Sequence, residues 1–116
     1  MGMHCCPFIC EYTRFAVVPY KYIVKREEIN ILTFPNGGAR LELMQRPDTI
    51  DADPSKPNIG FIHVSFAVGS METVDAKTFE LRDAGYQVTS GPRTTGDGYY
   101  ESCILGPEGI QIEITV

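Results

Sequence analysis

The side chains best suited to chemistry are three that can bind a divalent metal, Glu42, His63 and Glu113. Each lies in a segment with the alternating pattern of a β-strand, on the side opposite the large apolar residues. Two carboxylates and an imidazole suit zinc, nickel, manganese or iron with open coordination positions. Any one of the three alone is more often an ordinary polar strand residue. The prediction of a metal site therefore depends on their coming together.

An internal repeat relates the two glutamates. When the chain is aligned with itself so that Ile31 falls on Ser102, ILTFPNGGARLEL (31–43) matches SCILGPEGIQIEI (102–114), and Glu42 falls on Glu113. Aromatic residues elsewhere also coincide in this self-alignment. Each half of the chain therefore predicts a hairpin whose second strand carries one carboxylate.

The second half predicts the element order βαβββ. FIHVSFAV (61–68) is rich in β-branched and aromatic residues and predicts a strand. Ser70 is a suitable N-cap for a helix with apolar residues at helical spacing up to Leu81, and Gly85 is a suitable stop. The remaining strands are predicted over 86–90, 99–105 and 110–115, with a loop over 91–98.

The first half predicts the same order without its first strand. The self-alignment places the end of a helix over 8–14 and strands over 20–25, 28–34 and 39–45, but the partner of His63 would precede Met1. We therefore predict an α+β fold in a single domain, 1–116. It consists of an incomplete module over 1–45, a linker rich in proline and aspartate over 46–60, and a complete module over 61–116.

Composition excludes several classes of protein. The 116 residues carry a net charge of −5, which argues against a nucleic-acid partner because phosphates are bound by Lys and Arg. No apolar run approaches the roughly 18 residues of a membrane span, and Met1–Cys10 lacks the features of a signal peptide. The four cysteines contain no C-x-x-C pair. We expect reduced thiols and a cytoplasmic protein.

Four segments carry a resemblance to a known family: ARLELM, GFIHVSFAVGS, GPRTTGDGYYES and LGPEGIQIEIT. They are similar to the glyoxalase/bleomycin-resistance/extradiol-dioxygenase superfamily, in particular its small lactoylglutathione-lyase-like (glyoxalase I-like) members. The resemblance implies paired βαβββ modules that form a saddle-shaped sheet with helices on the outer face. It also implies a homodimer with a divalent metal in the cleft.

The resemblance further implies roles for individual residues. Glu42, His63 and Glu113 match three of the family's metal ligands, and the fourth, on the first strand of the first module, has no counterpart here. Glu113 is implied as both ligand and catalytic base, with Glu42 as the alternate, in a lyase or isomerase reaction on a small thiol adduct. We assign Tyr99, Tyr100 and Arg93 to cofactor binding, with ordinary strand packing as the alternative for the tyrosines.

Two other functions remain open at this point. One is a metal-free protein that binds a small molecule, resembling the bleomycin-resistance proteins. The other is a truncated, inactive family member whose role is assembly. The unmatched fourth ligand favours these alternatives, whereas the three matched ligands favour the enzyme.

Overall fold

A computed structural model of the chain describes residues 16–24, 27–33, 39–48, 50–51, 53, 55–56 and 59–116. The chain divides into two compact units, Met1–Ala52 and Asp53–Val116. The boundary between them lies within the predicted linker, 46–60. The helix end predicted over 8–14 lies outside the described residues.

The first unit contains a three-stranded antiparallel sheet with the order β1-β2-β3. Its strands are β1 (Ala16–Val24), β2 (Glu27–Thr33) and β3 (Arg40–Gln45). Within β3, Leu41 and Leu43 are half-buried and Glu42 is exposed, as the alternation predicts. Glu42 pairs with Ile31 of β2.

The second unit has the order βαβββ that the sequence predicts. It comprises β4 (Val64–Ala67), α1 (Met71–Asp83), β5 (Gln87–Thr94), β6 (Tyr100–Leu105) and β7 (Gln111–Thr115). The sheet order is β4-β7-β6-β5, with β4 parallel to β7 and the other pairs antiparallel. The α+β class is thereby confirmed.

The repeat is visible in the strand boundaries. The same self-alignment maps Ala16, the first residue of β1, onto Gln87, the first residue of β5. It also maps Arg40, the first residue of β3, onto Gln111, the first residue of β7. Strands β1–β3 are therefore the counterparts of β5–β7.

Two elements of the second unit differ from the prediction by more than one residue. The strand predicted over 61–68 is shorter, because β4 pairs only with Ile112–Thr115 of β7. The loop predicted over 91–98 is partly strand, since β5 extends to Thr94. Register shifts between Val88 and Arg93 accommodate the Gly-Pro pair that the sequence pattern favours as a turn.

The core of the second unit lies between α1 and the sheet. Ser70 caps the helix, with its Oγ accepting a hydrogen bond of 3.1 Å from the Thr73 amide, and Gly85 follows the helix with φ +97°. The buried apolar side chains are Phe66, Val74, Leu81, Ile104, Ile112 and Ile114. Thr78 and Ser102 share a buried hydrogen bond of 2.6 Å between their hydroxyls, so the polar pair in this core is satisfied.

Nowhere in the described part of the chain does a helix have the length and apolar character needed to cross a membrane.

Gly91→Ala is expected to destabilise the protein by at least about 2 kcal/mol. Gly91 has φ +76°, and an added Cβ would lie 2.4 Å from the backbone oxygen of Glu101. The matched control is Gly96→Ala, because no atom lies within 4 Å of its added Cβ and its backbone is outside the left-handed region. Urea unfolding measures both variants. Equal free energies of unfolding would show that β5 and β6 can separate to admit the methyl group.

Candidate functional site

The two faces of the second sheet differ in character. Ile112 and Ile114 of β7 point toward α1 and are 1% and 2% exposed, so Glu113 between them points to the opposite side. We call this opposite side the open face; it carries Ser65, Arg93, Glu101, Cys103 and Glu113. Because β7 lies between β4 and β6, Glu113 is flanked by Ser65 on one side and by Cys103 on the other.

His63 and Glu113 come together on the open face. His63 immediately precedes β4, and its Nε2 lies 3.3 Å from Oε2 of Glu113. The His63 side chain is 38% exposed and that of Glu113 is 13% exposed. Ser65 donates a hydrogen bond of 2.6 Å to the other carboxylate oxygen, Oε1. The two oxygens of Glu113 therefore have different partners.

The surroundings of Glu113 are rich in negative charge. Burial raises the pKa of Glu101, and the charges of Glu113 and Asp97 raise it further. Arg93, which pairs with Glu101 across the β5–β6 ladder, acts in the opposite direction, as does His63. Such a field favours the approach of a cation to this part of the open face.

Cys103 is the cross-strand partner of Glu113 and carries a free thiol. Burial raises the pKa of this thiol, and the charges of Glu113 and Glu101 add to the effect. A thiol that stays protonated near neutral pH is a weak nucleophile and a weak metal ligand. The other three cysteines lie outside the described residues.

Glu42, the third predicted metal ligand, belongs to the first unit. It is exposed in β3, on the same side of that strand as Arg40. The structure thus brings His63 and Glu113 together within one unit. The role of Glu42 stays a prediction.

The residues predicted to bind a cofactor lie at three different places in the second unit. Arg93 is exposed on the open face, and its Nε donates a hydrogen bond of 3.1 Å to Oγ of Ser90. Tyr99 is 57% exposed and precedes β6. The Tyr100 hydroxyl donates a hydrogen bond of 2.6 Å to Asp75 of α1, so this side chain lies on the helix side of the sheet. This hydrogen bond is the largest of the effects that raise the pKa of Tyr100.

The geometry of the His63–Glu113 pair fits two adjacent coordination positions of a metal. Zinc bonds of about 2.0–2.2 Å at tetrahedral or octahedral angles separate neighbouring donor atoms by roughly 2.9–3.5 Å. The separation between Nε2 and Oε2 is 3.3 Å. Among the residues that the structure describes, no group of three or more His, Cys, Asp or Glu side chains is placed to hold a metal ion. Within the described part of the second unit, the candidate donors that come together are His63 and Glu113.

The sequence did not identify Ser65 as a residue of the candidate site, although it contacts Glu113. Alternation places it on the same face as His63, but its partner depends on the register of β4 against β7. The parallel pairing of Ser65 with Glu113 joins segments 48 residues apart in the chain. The only feature of the sequence that could have indicated this contact is that Ser65 lies two positions after His63 and on the same face of the strand.

A family model described as the Glyoxalase/Bleomycin resistance protein/Dioxygenase superfamily matches residues 11–114. Solved structures are similar over nearly the whole chain. A glyoxylase/bleomycin resistance protein/dioxygenase domain from Frankia sp. EAN1pec has a TM-score of 0.78 at 18% identity, covering 97% of this chain and 85% of that one. A glyoxalase/dioxygenase from Nostoc punctiforme has a TM-score of 0.75 at 16% identity, with coverages of 96% and 80%.

A third similar structure is that of a possible glyoxalase from Bacillus cereus. Its TM-score is 0.69 at 20% identity, and the alignment covers 97% of this chain and 86% of that one. No curated protein matches the chain. At these identities the structural similarities establish the fold.

Proposed function

Since the chain belongs to the Glyoxalase/Bleomycin resistance protein/Dioxygenase superfamily, we propose that it is a metal-dependent, glyoxalase I-like lyase or isomerase that acts on a small thiol adduct. The observation that carries the proposal is the His63–Glu113 pair on the open face, with 3.3 Å between Nε2 and Oε2. An imidazole and a carboxylate are two of the donor types that catalytic metal sites use, and this separation would allow both to bind one ion.

In this proposal His63 and Glu113 hold a divalent ion, zinc, nickel, manganese or iron, and Glu42 contributes a third ligand. The ion supplies Lewis-acid polarisation of the substrate oxygens when it is bound. Three protein ligands suffice for a catalytic site with open positions. The negative charge around Glu113 and Glu101 assists binding of the ion.

Glu113 is the proposed general base, with Glu42 as the alternate. A carboxylate that removes a proton from the carbon beside a carbonyl and returns it to the neighbouring carbon converts a thiohemiacetal into an isomeric thioester without a change in atom count. The 13% exposure of the Glu113 side chain limits solvent access to that proton.

Arg93, Tyr99 and Tyr100 remain predicted cofactor-binding residues. We also propose that the protein is a cytoplasmic homodimer.

His63→Ala is expected to abolish metal binding. The wild-type protein should contain stoichiometric zinc, nickel, manganese or iron by elemental analysis, and the variant should contain almost none. His63 is 38% exposed and precedes β4, so we expect the variant to fold, which circular dichroism checks. Wild-type protein without metal, even after dialysis against divalent ions, would contradict the proposal.

A second candidate function is metal-free binding of a small molecule. The observation that favours it is that two donors, rather than three, come together in the described part of the second unit. Thermal unfolding with bleomycin as the probe, in the presence of a chelator, tests this alternative. An increase in Tm without metal would support it, whereas stabilisation that requires a divalent ion would support the enzyme.

A further inference from the structure

The Glu113 carboxylate is held from two sides by side chains of β4 and of the segment just before it. Ser65 Oγ donates to Oε1 over 2.6 Å, and His63 Nε2 lies 3.3 Å from Oε2. Ser65 and Glu113 are direct partners in the parallel β4–β7 ladder, so backbone pairing places the hydroxyl beside this one oxygen. The 2.6 Å distance is typical of a hydroxyl that donates to a charged oxygen.

Because the two carboxylate oxygens of Glu113 have different partners, they would differ in how they bind a metal. An oxygen that accepts a short hydrogen bond, as Oε1 does from Ser65, has less electron density to offer a metal. Oε2, in contrast, lies beside the imidazole of His63, 3.3 Å from its Nε2. Glu113 would therefore bind through one oxygen, with the hydroxyl acting as an outer partner that orients the ligand.

We propose that Ser65 is a positioning residue that makes Glu113 a monodentate ligand and thereby selects small transition-metal ions over calcium. The proposal rests on the metal-binding function proposed above. Zinc accepts a single carboxylate oxygen beside an imidazole, at about 2.0–2.2 Å. Calcium takes about 6–8 oxygen ligands and commonly uses carboxylates in the bidentate mode. A hydroxyl on Oε1 suits the first ion and disfavours the second.

The test is Ser65→Ala, with Ser65→Thr as the conservative variant that retains the hydroxyl. Thr89→Val is the matched control, because it removes a hydroxyl from β5 that donates to the Cys103 backbone oxygen and to Gln111 rather than to Glu113. Calorimetric titration with Zn²⁺ and with Ca²⁺ gives the two affinities for each protein. We expect Ser65→Ala to weaken Zn²⁺ binding about tenfold and to reduce the ratio of Zn²⁺ to Ca²⁺ affinity by at least that factor. Ser65→Thr and Thr89→Val should stay within about threefold of the wild type.

A second readout does not need a metal. Side-chain scalar couplings measured by NMR report the rotamers of Glu113 in the metal-free protein, and Ser65→Ala should change one dominant rotamer into an average. If the wild type binds no metal but this averaging is seen, the proposed metal function fails and the positioning of Glu113 by Ser65 stands. Unchanged rotamers together with unchanged Zn²⁺ affinity in Ser65→Ala would overturn the proposal. An equal loss of affinity in Thr89→Val would overturn it as well.

Discussion

Glu113→Gln is expected to lower the affinity for Zn²⁺ by at least about 100-fold, since residues that only support a ligand already change affinity by about 10–100-fold when they are mutated. Glutamine preserves the size and shape of the side chain, and its amide oxygen can still accept the hydrogen bond from Ser65. What it removes is the negative charge beside His63. A neutral amide is a poor ligand for a transition metal, so the loss follows from the charge and not from altered packing.

The same substitution removes the proposed base. Turnover of a thiohemiacetal should fall by roughly 10²–10⁴-fold even when the protein is saturated with metal. Zn²⁺ titration and steady-state kinetics measured on one preparation separate the two effects, because the first depends on binding and the second on proton transfer.

Glu101→Gln is the control for Glu113→Gln. It removes one negative charge from the same open face, two positions away along the ladder from the Cys103–Glu113 pair. We expect a change in Zn²⁺ affinity of only a few fold, because the contribution of Glu101 is through its charge. If both variants weaken binding equally, the affinity arises from the general field of the open face and Glu113 is not a ligand.

Leu81→Ala is expected to reduce the free energy of unfolding by about 2–5 kcal/mol. Leu81 of α1 is 1% exposed and lies in the core with Ile104 and Ile112, which are 0% and 1% exposed. Truncation leaves a cavity between helix and sheet that these side chains fill only partly. Because a unit as short as Asp53–Val116 has a small core, this loss is a large fraction of its total stability.

Urea unfolding of the full chain, followed by circular dichroism, measures this change. The matched control is Met71→Ala in the same helix, since Met71 is 51% exposed and its truncation should cost less than about 1 kcal/mol. Comparable losses in the two variants would show that α1 does not cover the sheet as described. The result also bears on the site, because the strand that carries Glu113 on one face packs Ile112 and Ile114 under α1 on the other.

The elements and faces of the second unit could be predicted from short stretches of sequence. Alternation in GIQIEI indicates that the isoleucines share one face and Glu113 the other, which their burial confirms. Ser70 and Gly85 indicate the two ends of the helix. The extension of β5 to Thr94 could not be predicted in this way, because Gly91-Pro92 favours a turn unless a partner strand absorbs the irregularity through a bulge.

The sequence by itself determined the repeat, the βαβββ order, the family and the direction in which Glu113 points. The element order and the direction of Glu113 depend on residue types at spacings of two to four positions, which act locally. The repeat and the family are recognised by comparing whole segments of sequence, which also needs no tertiary structure. Only the tertiary structure decided that Ser65 donates to Glu113 and that Tyr100 bonds to Asp75 of the helix. Both contacts depend on strand register or helix packing, which is set by the burial of many side chains together and not by the residues that meet.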